Sequence, residues 1–328
     1  MESFTIGGAW RAGYRFVGRG FVIQFLILTL IGIAAPLGLQ YALIGAPLDA
    51  ASSPITGGQT MMQMAWAPAV LLTIALSHML QAGSFIAALR FGFSRERGPV
   101  GAILFGLAAG FVALLVVAAG YAVALFGARA IASPETVELA VIILILPLVV
   151  VYSLFFISQA IMAAATIVST LLFLLVYGLM NGYPELAAMA FGGSGLLTVM
   201  MLVMSVLLFW LAARFSCVTA LMAQRRSLNV FTAIRDSWRL TADEQGAIFR
   251  YLALVGFSIG LLVLGVTLAV GTGMGGLMQG GNLGADSTGG IVLRLVFGIP
   301  LSVLSVMLPA GIWRQLTVEE EMDAEIFA

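Results

Sequence analysis

Four polar residues, Ser77, His78, Gln81 and Ser84, recur at spacings of three and four inside an otherwise apolar run, which sets them along one stripe of a helix. Two chemistries suit such a stripe. It lines a polar cavity or proton path, with His78 as the group that titrates near neutral pH, or it joins neighbouring helices through hydrogen bonds. Gln159 reads as a partner to this stripe or as part of a turn. Arg214 also stands inside an apolar run, where a guanidinium costs roughly 2.5–3.5 kcal/mol to insert, so it faces protein or water, or snorkels to the interface. His78, Gln81, Gln159 and Arg214 are therefore the candidate intramembrane polar site.

Other chemistries are excluded by what the chain lacks. All 15 basic residues are arginine, so no Walker lysine and no Schiff base is available. One histidine and one cysteine, Cys217, leave no multi-histidine metal site and no internal disulfide. The run 271–276 formally spells GxGxxG, yet it comes after an apolar helix rather than a strand and reads as a glycine-rich loop, not a dinucleotide site. No paired acid and base suggests an intramembrane enzyme. No catalytic residue, cofactor or metal is expected.

The elements that hold these residues are set by composition. A chain that is 61% hydrophobic and 9% charged has too few charges to cover a soluble surface, and its apolar runs are continuous rather than alternating. The expected fold is all-α: a polytopic integral membrane helix bundle with about eight transmembrane helices plus amphipathic interfacial helices. With zero net charge, nucleic acid is not an expected partner. Residues 1–19 read as a cytoplasmic interfacial helix, 20–313 as the bundle, and 314–328 as an acidic, solvated cytoplasmic tail. Gly106 with Gly110, and Gly256 with Gly260, are spaced for close helix packing.

The longest charged stretch, 224–250, organises the rest. Over 229–240, Val230, Phe231, Ile234 and Trp238 recur at helical spacing opposite Thr232, Arg235, Asp236 and Arg239, an interfacial helix suited to an anionic leaflet. Thr241 to Glu244 fits a capping box, which predicts that the next helix starts at Thr241. The first helix echoes this unit: Ile6, Ala9, Trp10 and Arg11 align with Ile234, Ser237, Trp238 and Arg239, a parallel duplication or a chance match. Trp10, Arg11, Arg15, Arg235, Trp238 and Arg239 are the expected membrane-interface residues.

The segment Ala233-Ile234-Arg235-Asp236-Ser237-Trp238-Arg239-Leu240-Thr241, set between apolar spans, resembles the bacterial multi-pass family named after the membrane domain of glycerophosphoryl diester phosphodiesterase. The likeness covers about 210–260. Where relatives continue with a basic residue, glycine and an aromatic, this chain has Ala242, Asp243 and Glu244. The resemblance implies a fold, and an arginine inside the bundle at Arg214. Phosphodiesterase activity is not expected, because it needs a metal cluster of carboxylates and more than one histidine in a separate domain.

Charge bias sets the topology. Spans are expected at about 21–44, 66–89, 100–126, 195–223, 247–270 and 291–313, with the uncharged run 139–180 crossing once or twice. Keeping Arg11, Arg15 and Arg19 cytoplasmic along with Arg225 and Arg226 requires two crossings, turning near Ser158 and Gln159. The expectation is an inner-membrane protein with both termini cytoplasmic. Its expected partners are lipids of the anionic cytoplasmic leaflet and a protein partner or second copy. The function expected is non-enzymatic, in the envelope or in a larger assembly, with a small-solute transporter or permease using His78, Gln81 and Arg214 as the alternative.

Overall fold

An apolar chain in lipid satisfies its own backbone by forming helices, and every regular element among the described residues is helical. The computed structural model describes residues 4–44, 68–94, 98–131, 195–273 and 288–326, with isolated positions between 150 and 168. In chain order these are α1 (Ile6–Gly18), α2 (Phe21–Leu26), a π-helical stretch (Ile27–Ala34), α3 (Ala35–Ile44), α4 (Pro68–Phe93) and α5 (Gly98–Ile131). The second half holds α6 (Gly195–Phe215), α7 (Val218–Arg225), α8 (Val230–Leu240), α9 (Gln245–Gly273) and α10 (Thr288–Ile326). Among the described residues, six stretches are long and apolar enough to cross a membrane: Phe21–Leu43, Leu72–Phe93, Gly98–Gly120, Leu202–Arg225, Gln245–Leu262 and Gly298–Thr317.

From α2 to α3 the chain is one continuous helix with a widened middle. Pro36 has no N–H to offer the carbonyl four residues back, and its ring crowds that carbonyl. Upstream the turns loosen, and the Ala35 N–H bonds to the Leu30 carbonyl, five residues back.

α4 is the spine of the bundle. Every residue from 82 to 92 is buried, and α4 touches α3, α5, α7, α10 and the π-helical stretch. The approach of α5 is so close that a Cβ at Gly106 would strike the Gly83 carbonyl oxygen and Ala87, and one at Gly110 would strike the Met79 carbonyl oxygen. The Gly106 and Gly110 spacing thus marks close packing, as the sequence suggests. α1 packs on α10 in the same way, where a Cβ at Gly13 would meet the Met307 carbonyl and one at Gly311 the Ala9 carbonyl.

Several ends of helices share one face. Phe93 at the end of α4 meets Trp313 of α10 with ring centroids 4.9 Å apart, and Gln315 donates to the Thr5 hydroxyl ahead of α1 at 3.1 Å. Phe4 meets Tyr251 near the start of α9 at 6.2 Å. Arg90 near the end of α4 reaches the last carbonyls of α7.

The structure refines the expectations in three places. The span expected over 195–223 is found as the stretch Leu202–Arg225, bent into two helices at Ser216 and Cys217. The helix expected from Thr241 starts at Gln245, because the Thr241 hydroxyl donates to the carbonyls of Ser237 (2.9 Å) and Arg214 (3.4 Å) instead of capping α9. α10 runs through residue 314 to Ile326, with Arg314 and Gln315 packed on α1. Gln159 and the number of crossings in 139–180 lie outside the described residues; Ser158 is buried, with its hydroxyl against that of Ser305 in α10.

Candidate functional site

The break between α6 and α7 is made by α8. Asn229 caps α8, its side chain accepting from the Thr232 N–H at 3.1 Å, and the helix then turns Val230, Ala233 and Ser237 inward. Ser237 is fully buried. Its hydroxyl donates to the Arg214 carbonyl at 2.8 Å and accepts from the Cys217 N–H at 3.3 Å. Two groups that would otherwise bond within a continuous helix are thereby satisfied by one side chain. Ser216 turns back to the Ala213 carbonyl at 2.9 Å.

The guanidinium of Arg214 is held by the same helix. Its Nη1 donates to the Trp238 carbonyl at 3.3 Å, and its Cζ lies 4.8 Å from the centre of the Trp238 ring. Trp210 and Phe215 pack around that indole, with centroids 5.4 and 5.8 Å away. Arg214 has no carboxylate partner among the described residues, and its Nε is buried without an acceptor. A cation over an indole face and a single charge-assisted bond replace the ion pair that such a group usually finds.

Two further arginines come to helix ends or rings. Arg90 is buried and donates to the carbonyls of Ala223 and Gln224, both at 2.9 Å. These carbonyls close α7, where the macrodipole favours a cation. Arg226 just beyond takes the left-handed conformation, with φ at 54°. The guanidinium of Arg314 stands 4.9 Å from the centre of the Phe16 ring of α1. Sequence reasoning missed Arg90 and Arg314 because it read both as ends of spans. The signal available was that Phe91 and Phe93 continue the apolar run past Arg90.

Asp236 clasps α7 to α8. It accepts from Arg225, and from the Arg235 Nε at 3.5 Å. The hydrogen bond from Arg225 outweighs the opposing effect of desolvation and holds the carboxyl below its ordinary range.

The expected interface residues are outward-facing. Trp10, Arg11, Arg15, Arg235, Trp238 and Arg239 are all exposed, as are Tyr14 and Phe231. Arg11 donates from Nε to the Gly7 carbonyl at 3.1 Å. Of the positions aligned between the two Trp-Arg helices, Ala9 and Ser237 are both buried, Trp10 with Trp238 and Arg11 with Arg239 are exposed, and Ile6 is exposed where Ile234 is half-buried.

The polar stripe of α4 sits elsewhere. His78 Nδ1 lies 2.8 Å from the Ile74 carbonyl and its ring meets Phe156 edge-on at 5.6 Å. The Ser84 hydroxyl donates to the Gln81 carbonyl at 2.7 Å, and Ser77 Oγ is buried without a partner among the described residues. His78 and Arg214 thus have different neighbours, one the Phe156 segment and the other α8.

Replacing Ser237 with Ala leaves the Arg214 carbonyl and the Cys217 N–H unmet in a buried site. The expected loss is about 1–3 kcal/mol of stability, read by SDS titration in mixed micelles, with Ser237→Thr keeping more than Ser237→Ala. Equal loss in both variants would count against the hydroxyl.

Because Asp236 is held below its unfolded value, its contribution is present above the ordinary carboxylate range and is lost as pH falls through the lower, folded value. Melting curves of the wild type and of Asp236→Asn should therefore differ at neutral pH and converge on acidification. A difference that grows on acidification would refute the clasp. Comparisons with protein-family models, with curated proteins and with solved structures find no match, so the site stands on its own geometry.

Proposed function

We propose that this chain is a non-enzymatic integral protein of the cell inner membrane, associated with lipid in the envelope or serving as a subunit of a larger membrane assembly. The observation that carries the reading is the pairing of exposed aromatic and arginine side chains: Trp10 and Tyr14 beside Arg11 and Arg15 in α1, Phe231 and Trp238 beside Arg235 and Arg239 in α8. A headgroup layer accommodates both kinds of side chain at once, so α1 and α8 are interfacial helices on the anionic cytoplasmic leaflet.

The eight-crossing count belongs to the same proposal. Contacts that put the ends of α4, α7 and α10 and the start of α9 on one face support an even number of crossings between α5 and α6. The long apolar run 139–180 supplies two of them, and both termini are then cytoplasmic. The residues on which the likeness to the multi-pass family rests include Ser237, Trp238 and Thr241, which contact Arg214. Employment of Arg214 in holding α8 favours this reading over a solute path shared with His78 and Gln81.

Native mass spectrometry of protein extracted gently from its own membrane tests the assembly role; a stoichiometric companion is expected, and a bare monomer would turn the weight to transport. For topology, a membrane-impermeant maleimide should modify Tyr183→Cys from outside the cell, the native Cys217 being buried and silent. Modification from the cytoplasm alone would overturn the eight crossings.

A further inference from the structure

A groove of about 370 Å³ runs between α1, α9 and α10. Ile6, Gly7 and Trp10 form the α1 wall, and Leu304 of α10 closes the back. On α9 the lining residues Tyr251, Val255, Ser258 and Ile259 recur at helical spacing, so the groove runs parallel to the helix axis for roughly 12 Å. That part of α9 lies within the membrane-crossing stretch Gln245–Leu262, and the groove therefore lies along the direction of a lipid chain. Its lining is almost wholly apolar.

Two exposed arginines neighbour the lining residues in sequence. Arg11 is next to Trp10, and Arg250 precedes Tyr251; both are exposed and neither has a carboxylate partner among the described residues. Both guanidinium groups use Nε on their own helix, on the carbonyls of Gly7 and Gly246. Tyr251, 1% exposed, lines the groove with its hydroxyl buried and without a partner, a position in which tyrosine ordinarily finds one. An apolar slot along the span with an unmet hydroxyl in its wall, and unneutralised arginines next in sequence to two of its lining residues, match one amphiphile: a chain, an ester and a phosphate in that order.

We propose that this groove seats one acyl chain of an anionic phospholipid from the arginine-side leaflet, with Tyr251 toward the ester region and Arg11 and Arg250 on the phosphate. The site rests on α1 lying at headgroup level. A soluble partner does not reach a slot that begins in the headgroups and continues into the span.

Gly7 offers a clean test, because a Cβ there meets nothing within 4 Å and a larger side chain enters the groove without striking protein. The full-length protein is placed in nanodiscs of equal phosphatidylglycerol and phosphatidylcholine with matched chains, then released into native mass spectrometry. Wild type should retain one phosphatidylglycerol in preference. Arg11→Gln with Arg250→Gln should lower the ratio of retained phosphatidylglycerol to phosphatidylcholine roughly tenfold or more, given about 1 kcal/mol per arginine at an anionic surface. Gly7→Leu should abolish retention of either lipid. Equal retention of the two lipids by wild type, or unchanged retention by Gly7→Leu, would overturn the site. A nitroxide at Tyr14→Cys reports separately on headgroup depth: depth kept with selectivity absent sinks the groove alone, whereas an aqueous Tyr14→Cys sinks the interfacial reading beneath it.

Discussion

A guanidinium inside an apolar helix has to find acceptors before anything else around it can settle, and Arg214 finds its partners in α8. The Ser237 and Thr241 hydroxyls take its carbonyl, and the Trp238 carbonyl and ring take its charge. The surrounding geometry depends on these contacts. To present its carbonyl sideways α6 must end at Phe215, α7 must restart after a turn, and α8 must be drawn in until Ser237 is fully covered. The turn 241–244 then delivers the chain to α9. In a medium of low dielectric such polar contacts are costly to leave incomplete, which is why a whole helix is committed to one residue.

The other buried or half-buried arginines solve the same problem with different means. Arg90 uses the carbonyls that α7 leaves open at its end, tying the spine of the bundle to the broken helix. Arg314 uses the Phe16 ring, and the glycine contact between Gly13 and Gly311 brings α1 near enough for it. Helix-end carbonyls and aromatic faces are available wherever helices meet.

Whatever depends on local periodicity was legible in the sequence. The all-α class, the apolar spans, the glycine contact of α4 with α5 and the helix 229–240 are dictated by residue spacing alone. Features that depend on a distant partner were not. Thr241 carries the pattern of a helix cap, but its hydroxyl goes to the Ser237 carbonyl and, more weakly, to a carbonyl 27 residues earlier, and the helix starts four residues later. Arg90 looks like a span end because its partners are 133 and 134 residues away. Phe231 and Trp238 share the apolar spacing of α8, yet the side that packs inward is the one bearing Val230, Ala233 and Ser237. Composition cannot tell a face turned to protein from one turned to lipid.

Arginines held by rings and carbonyls keep their charge. Arg11, Arg214 and Arg250 have no carboxylate partner among the described residues, so their positive potential is screened by mobile counterions and lipid rather than cancelled within the fold. The manner in which the bundle satisfies its arginines thus becomes an orientation lock: once these side chains are seated, turning the molecule over in the bilayer means carrying every unneutralised charge through hydrocarbon.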